Sequence, residues 1–306
     1  MIDTHQAAER EKRSAALTSV IAAAFLTLMK IIVGFLTGSL GILAEAAHSG
    51  LDLGAALVTY WAVRAAGKPA DHDHLYGHGK IENLSALFET LLLLVTCIWI
   101  VYEAIERLFV KTVEVDASIW AFLVMGISII VDYSRSKVLY QAAHKHRSQA
   151  LEADALHFST DIWSSSVVIL GLIAVRLKTV FPEAEFLSAA DPIAALAVAV
   201  IVIVVGAKLG VRTVQALLDV APAGVREKIK TSVESIPGVE DCHRIRVRSS
   251  GPQFFVDIHV LLDGTQTLEA AHALTETIEA TIEAELPGAD VTVHPEPWKP
   301  PREETA

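Results

Sequence analysis

Cysteine is scarce in this chain, with only two residues among 306. Cys97 lies in an apolar run, and Cys242 lies in a polar stretch far from it. Two thiols in such different surroundings argue against a disulfide framework and are compatible with a reducing cytoplasm. The chain also lacks the HExxH motif with which many zinc hydrolases hold their metal.

Basic residues are also fewer than acidic ones. The chain has 25 Lys and Arg against 36 Asp and Glu, which gives a net charge of −11 at pH 7. Nucleic-acid-binding domains present a basic surface, and nothing in this charge balance provides one. The sequence therefore predicts that nucleic acid is not a partner.

Long apolar segments are abundant instead. Hydrophobic residues make up 52% of the chain, and the mean hydropathy is +0.44. A transmembrane helix needs about 20 predominantly apolar residues, and the sequence predicts six such spans in a lipid bilayer. The first apolar run is too long for a signal-peptide core, so it is expected to be retained as a span. The six spans are roughly Ala15–Leu36, Leu40–Val63, Leu84–Ile105, Ile119–Leu139, Ala155–Val175 and Ile193–Leu209.

The basic residues predict the orientation of these spans. Lys and Arg concentrate in the N-terminal tail and in the second and fourth connections, whereas the other connections have few or balance them with acids. Because cytoplasmic loops carry the excess of Lys and Arg, both termini are expected to face the cytoplasm.

The last third of the chain has a different character. It contains no apolar run long enough to span a membrane, and its periodicity alternates between helix and strand. The predicted order is helix, strand, strand, helix, strand, which is typical of a small α+β domain. The expected division of the chain is a tail at 1–14, a membrane domain at 15–211, a cytosolic domain at 212–296 and a disordered tail at 297–306. Its elements are expected at Val225–Ser235, His243–Arg248, Phe254–Leu262, Leu268–Leu286 and Asp290–His294.

Two His-xxx-Asp pairs interrupt the apolar spans. His48 and Asp52 lie in the second span, and His157 and Asp161 lie in the fifth. Four residues are about one helical turn, so each pair points to one side of its helix. If the two antiparallel helices are neighbours, two imidazoles and two carboxylates converge, a donor set that suits tetrahedral Zn²⁺. The alternative is that each polar residue only forms hydrogen bonds between helices.

Two further clusters contain metal-ligating residue types. The connection after the second span contains Asp71, His72, Asp73, His74 and His78 within eight residues, which indicates either metal binding or a solvated polar loop. In the cytosolic domain the candidates are spread over strands and a helix, and they form one site only if they meet at one edge of the domain. These candidates are His243, His259, His272, His294 and Glu296.

These motifs together resemble the cation diffusion facilitators, most closely the bacterial zinc/iron efflux type. The resemblance covers about Ser14 to Glu296 and rests on TGSLGILAEAAHSGLDLGAAL, PADHDHLYGHGKIENLSAL, ADALHFSTDIWSSSVVILGL and ALLDVAPAGVREKI. It implies six transmembrane helices, a metallochaperone-like cytosolic αββαβ domain, a homodimer, and export of divalent metal in exchange for protons. The chain departs from the resemblance at His48, where bacterial relatives often have Asp, and at Glu296, which replaces a more usual Asp.

The resemblance also assigns roles to individual residues. It makes His48, Asp52, His157 and Asp161 the transport site, and Asp71, His74 and His78 a second site in the loop. It makes His243, His259, His272, His294 and Glu296 the ligands of a regulatory cytosolic site. It pairs Lys80 with Asp219 as charges that interlock the subunits. Glu45 lies three residues before His48 on roughly the same helix face, so it is expected either to line the outer vestibule or to reach the membrane interface. Lys30, Glu89 and Asp132, which are further charges within the spans, receive no predicted role.

The function expected from all of this is a dimeric, multi-pass exporter of Zn²⁺ in the bacterial inner membrane, coupled to inward proton flow. Zn²⁺ is then the substrate and a regulatory ligand, no cofactor is needed, and the protein is not an enzyme. The alternatives are the same transporter acting on Fe²⁺, Cd²⁺, Co²⁺ or Mn²⁺, a membrane metal sensor that does not transport, and an intramembrane zinc hydrolase. The hydrolase would need an open coordination position, which four protein ligands do not leave.

Overall fold

A computed structural model of the chain describes residues 2–109, 119–180 and 187–298. The chain divides into two compact units, Met1–Val214 and Gln215–Ala306. The first unit is a bundle of long helices. They are α1 (Ile2–Thr37), α2 (Leu40–Ala66), α3 (Lys80–Phe109), α4 (Ile119–His146), α5 (Gln149–Val180) and α6 (Leu187–Leu217).

Four of these helices are long and apolar enough to cross a membrane by length and composition: Gln6–Thr37, Lys80–Glu106, Ile119–His146 and Leu196–Leu217. Within the described residues α2 and α5 are not among them, and both carry the paired ionisable side chains that interrupt their apolar runs. The count of six spans therefore stays a prediction.

The exposed and buried residues of the bundle differ in size. Large apolar side chains such as Phe35, Ile98 and Trp99 lie on its outer surface. Small residues fill much of the interior and let the helices approach closely, as in membrane bundles generally. At Gly34, an added Cβ would lie 2.7 Å from Leu43 Cδ2, so this glycine allows α1 and α2 to pack against each other.

The polar N-terminal segment is helical, which the sequence did not indicate. α1 begins at Ile2, so the segment predicted as a tail at 1–14 is helical from residue 2 and continuous with the helix of the first predicted span. Lys12 is buried and its Nζ donates to Glu82 Oε1 of α3 at 2.7 Å, with Glu9 Oε1 at 2.5 Å. These ion pairs balance the charges that the helix buries here, which offsets part of the cost of removing them from water.

The second unit is a three-stranded sheet with two helices. Its elements are α7 (Val225–Glu234), β1 (Val239–Ser250), β2 (Gln253–Asp263), α8 (Leu268–Glu285) and β3 (Asp290–Trp298). The strand order is β1-β2-β3, with β1 antiparallel and β3 parallel to β2. Alternate β2 residues, among them Ile258 and Val260, pack with α7 and α8 into one core. The expected helical membrane protein with a C-terminal α+β domain is confirmed.

The last strand is longer than predicted. It continues past His294 to Trp298, and Pro297 pairs in register with Leu262. Prolines are tolerated here because β3 is an edge strand of the sheet and one side of its backbone needs no ladder partner. Residues 299–306, the rest of the predicted disordered tail, lie outside the described residues.

We predict that the core of the second unit depends on Ile278 of α8, which is fully buried. Ile278→Ala is expected to lower the free energy of unfolding of residues 215–306 by about 2–5 kcal/mol, because it removes buried methylenes and leaves a cavity. Thr277→Ala on the exposed side of the same helix is the control and is expected to change it by less than about 0.5 kcal/mol. Urea denaturation followed by circular dichroism measures both, and equal effects of the two variants would contradict this account of the core.

Candidate metal centre

The two His-xxx-Asp pairs meet inside the helical bundle. α2 and α5 pack against each other, and His157 Nε2 lies 3.1 Å from Asp52 Oδ1. His48 Nε2 lies 3.8 Å from Asp161 Oδ1 and 3.9 Å from Asp52 Oδ1, and His157 Nε2 lies 3.8 Å from Asp161 Oδ2. Four donor groups from two helices therefore face one another.

The pairing across the helices follows from their opposite directions. Each pair is separated by one turn, so the His of one helix lies level with the Asp of the other. His157 is buried, and its ring packs edge-on against Phe158. The side chain of His48 is 40% exposed. Of the two histidines in this group, His157 is therefore enclosed by the bundle and His48 is accessible.

A cavity of about 30 Å³ opens onto this group and is lined by His48, Asp52 and Asp161. The ligand atoms of these three residues lie within 4.8 Å of one another, which is close enough for a single metal ion to touch all of them. His157 reaches the same two carboxylates from the enclosed side. Two imidazole nitrogens and two carboxylate oxygens form the donor set that tetrahedral Zn²⁺ takes.

Other charged residues line the same cavity, and among them only Glu45 had been considered for a vestibule from the sequence. Lys30 Nζ donates to Ser49 Oγ at 2.8 Å and lies 3.2 Å from Glu45 Oε2. Arg135 Nη1 donates to Asp132 Oδ1 at 3.2 Å. Each acid is therefore matched by a base on a neighbouring helix or turn, which lowers the cost of burying the charges.

The loop cluster is built by Asp71. Its Oδ1 accepts hydrogen bonds from the backbone N–H and the Nδ1 of His74, at 2.7 and 3.2 Å. Its Oδ2 lies 3.2 Å from His78 Nε2. The segment from Asp71 to His78 is a series of turns and not a helix. α3 begins only at Lys80. The backbone N–H of His74 holds the pKa of Asp71 below its usual value, which keeps this carboxylate ionised and able to bind a cation.

The cytosolic cluster is built by the sheet. His243 on β1 is in register with His259 on β2, and His259 is in register with His294 on β3. Glu296 Oε1 accepts a hydrogen bond from His259 Nδ1 at 2.7 Å, and its Oε2 lies 3.4 Å from His243 Nε2. Asp241, which the sequence did not single out, lies 2.9 Å from His243 Nδ1.

One predicted member of that cluster lies elsewhere. His272 is on α8, its side chain is 71% exposed, and it lies 3.6 Å from Glu276 of its own helix. The strand alternation explains the difference: Ile258 and Val260 face the core under α8, so His259 between them faces away from that helix. Within the described residues, His272 is not part of the group formed by His243, His259 and Glu296.

The predicted charge pair involves both units. Lys80 is the first residue of α3, in the first unit, and Asp219 lies in the second unit with a left-handed backbone at φ 59°. Their pairing stays a prediction.

Comparisons with known proteins match most of the chain. A family model described as the cation efflux transmembrane domain matches residues 16–218, and one described as the cation efflux protein cytoplasmic domain matches residues 221–298. The cation-efflux pump FieF of Serratia proteamaculans (strain 568) is 32% identical over 290 residues, covering 93% of this chain and 92% of the relative. The protein of the same name from Yersinia enterocolitica serotype O:8 / biotype 1B is also 32% identical, with the same coverage.

Among solved structures, the putative zinc transporter CzrB in its Zn form is similar to part of the chain. It is 29% identical over 25% of this chain and 89% of that chain, with a TM-score of 0.24. At that TM-score the likeness supports no conclusion about fold or function.

We predict that Glu296 titrates below its ordinary range in the metal-free protein. The hydrogen bond from His259 favours the ionised carboxylate and lowers its pKa from 4.5. Because the folded pKa is the lower one, the contribution of Glu296 to stability is complete above pH 4.5 and is lost as the pH falls through the lowered pKa.

Carboxyl NMR of residues 215–306 measures the pKa of Glu296. The His259→Gln substitution is expected to move that pKa back towards 4.5. Asp263 serves as the internal control, because the backbone N–H of Thr265 lowers its pKa independently of His259. If the pKa of Glu296 is the same in the His259→Gln variant as in the wild type, the described geometry is contradicted.

Proposed function

Because the chain belongs to the cation efflux family, also called the cation diffusion facilitators, we propose that it exports Zn²⁺ from the cytoplasm in exchange for protons. The family makes the chain a membrane-spanning cation efflux transporter with a cytoplasmic domain. The proposal adds that the cation is Zn²⁺, that its export is coupled to proton entry, and that the protein works as a homodimer. The observation that carries it is the convergence of His48, Asp52, His157 and Asp161 between α2 and α5.

The donor set favours zinc over the hard cations. Ca²⁺ and Mg²⁺ prefer all-oxygen shells with six or more ligands, whereas the convergent group supplies two nitrogens and two oxygens. Fe²⁺, Co²⁺, Cd²⁺ and Mn²⁺ are the alternative substrates, because imidazole and carboxylate donors also bind these ions. A transported ion must leave again, and this site has one accessible corner, at His48.

Proton coupling follows from competition for the same atoms. Imidazole and carboxylate groups bind metal only when deprotonated, so metal binding releases protons and protonation releases metal. A site that opens inward takes metal and gives up protons, and a site that opens outward does the reverse. Alternating access then moves the two ions in opposite directions.

The assembly that we propose is a homodimer in the bacterial inner membrane with both termini cytoplasmic. The excess of Lys and Arg in the N-terminal tail and in the second and fourth connections supports this orientation. Lys80 and Asp219 interlock the subunits in this proposal. In this proposal the loop residues Asp71, His74 and His78 form a second Zn²⁺ site. Zn²⁺ acts as a regulatory ligand at the sheet site of His243, His259, His294 and Glu296, which the exposed His272 joins only if a rearrangement brings it there.

We predict that Asp161→Ala abolishes zinc export. The substitution leaves three ligands, and it removes a charge whose insertion into a bilayer is costly, so the protein is expected to reach the membrane at normal levels. The control is Ser166→Ala on the same helix, where the Ser166 hydroxyl donates to the Ile162 carbonyl and, within the described residues, to no ligand of the site. Zinc tolerance of an export-deficient bacterium, with membrane levels measured by immunoblot, tests both variants. Wild-type tolerance from Asp161→Ala would remove the transport-site assignment.

We predict that His48→Asp changes the choice of metal. It replaces an imidazole by a carboxylate and produces a harder, more negative donor set of one nitrogen and three oxygens. Transport is expected to shift from Zn²⁺ towards Cd²⁺ or Mn²⁺, measured as the ratio of uptake rates into vesicles that contain each variant. An unchanged ratio would mean that residues outside the four ligands select the metal.

A further inference from the structure

A groove between α5 and α6 lies apart from the four-ligand group. It encloses a cavity of about 420 Å³, which is within the usual size range of ligand sites in proteins. α5 contributes residues at steps of three and four from Glu152 to Ser159, and α6 does the same from Val205 to Arg212. Tyr140 of α4 completes the lining. Lys208, Arg212 and Tyr140 are exposed, so the groove opens on the outer surface of the bundle.

The helix register gives α6 two different faces. One face packs against α3: a Cβ added at Gly210 would lie 3.1 Å from Thr90 Cγ2, so this glycine allows the two helices to approach closely. Lys208 and Leu209 lie on another face, which borders the groove. The packing of α6 against α3 therefore leaves Lys208 at the groove.

The groove has apolar walls and charged groups at its rim. Ala155 and Leu209 are buried and form part of the walls. Arg212 forms an ion pair with Glu152, so these two charges balance. Lys208 is exposed, and its ammonium group forms no ion pair or hydrogen bond with any residue that the structure describes. The groove therefore carries one unbalanced positive charge next to apolar surface.

The groove lies near the cytoplasmic end of the bundle. α6 ends at Leu217, and the match to the cation efflux cytoplasmic domain begins at residue 221. Lys208 and Arg212 are in the last part of α6, so they lie near the surface of the cytoplasmic leaflet. The negative surface potential of this leaflet attracts Lys and Arg, and basic pockets between transmembrane helices on this side bind anionic headgroups. Tyrosine, as at Tyr140, is enriched where lipid meets water.

We propose that this groove binds an anionic phospholipid of the cytoplasmic leaflet. The lipid phosphate accepts hydrogen bonds from the ammonium group of Lys208 and the hydroxyl of Tyr140, and one acyl chain lies against Ala155 and Leu209. The long stem of a lysine covers apolar surface while its charge reaches the headgroup level. A lipid without net charge would leave the charge of Lys208 unbalanced. The site requires a membrane-spanning chain, but it does not depend on which cation is transported.

The test measures lipid binding to the full chain in detergent micelles, without zinc, by native mass spectrometry. Phosphatidylglycerol and phosphatidylcholine with the same acyl chains are titrated separately. The wild type is expected to bind phosphatidylglycerol saturably and about fivefold more tightly than phosphatidylcholine, which is the attraction of one basic residue to an anionic lipid.

Two variants change the site in different ways. Lys208→Gln removes the unbalanced charge and is expected to weaken phosphatidylglycerol binding about fivefold, with phosphatidylcholine binding unchanged, whereas Lys208→Arg is expected to retain the preference. Val205→Trp places a large ring in the groove from an exposed position on its lining. It is expected to weaken phosphatidylglycerol binding without any change in charge.

The matched control is Arg64→Gln. Arg64 is an exposed basic residue in the last turn of α2 and does not line the groove. The substitution removes the same charge as Lys208→Gln does, so a site at the groove predicts that phosphatidylglycerol binding equals that of the wild type.

Four results would overturn the site. The first is equal affinity for the two lipids, which would mean only a non-selective lipid shell. The second is an equal loss of affinity in Lys208→Gln and Arg64→Gln, which would mean diffuse attraction to a basic surface. The third is displacement of the lipid by inorganic phosphate or glycerol phosphate at equal concentration, which would mean a simple anion site. The fourth is a change in the dimer fraction of Val205→Trp with lipid binding intact, which would mean that a second copy of the chain fills the groove.

Failure of this inference is distinguishable from failure of the proposed function. Lipid binding is measured without zinc, whereas zinc export is measured by the tolerance of cells that carry Asp161→Ala. Loss of either result leaves the other standing.

Discussion

The close approach of α2 and α5 at the two His/Asp pairs is the interaction on which the candidate metal centre depends. Placing an ionisable side chain in the middle of a membrane costs roughly 2.5–3.5 kcal/mol on insertion scales. His157 and Asp52, at 3.1 Å, offset part of that cost in the metal-free protein. A metal ion bound by both would offset it further, and the same ion links the two helices. Metal binding and the packing of α2 against α5 therefore depend on the same four side chains.

The surrounding polar groups extend this arrangement in two directions. Lys30 with Glu45 and Arg135 with Asp132 line the cavity next to the four ligands. Further along, the buried Glu82 binds Lys12 and the hydroxyl of Ser148, which ties α1, α3 and the start of α5 together. A route lined with polar groups along the bundle is what a transporter of a charged ion requires, since each step replaces part of the water that the ion has lost.

The sequence predicted much of this because its signals are local and periodic. The i, i+4 spacing of His48 with Asp52 and of His157 with Asp161 was enough to expect their convergence, since both helices are long and run in opposite directions. The α+β domain followed from the alternation around His259 and from the turn at Gly251. The family expectation was confirmed by the comparisons with known proteins.

Other features depend on contacts that a single sequence does not encode. Asp154 lies one turn before His157, and its hydrogen-bond partner Ser19 is on α1, far away in the sequence, so this contact is visible only in the structure. His272 counted as a ligand because of its residue type, whereas its place on the exposed side of α8 separates it from His243 and His259. The length of β3 was underestimated because two prolines suggested a break, although an edge strand accommodates them.

The central claim is that His48, Asp52, His157 and Asp161 together hold the transported zinc. An experimental structure of the full chain with zinc, including an anomalous difference map at the zinc edge, tests it most directly. The account predicts a peak between α2 and α5 with zinc–nitrogen and zinc–oxygen distances of about 2.0–2.2 Å to all four residues. Peaks at the loop and cytosolic clusters with none among these four residues, at zinc concentrations that support transport, would contradict it.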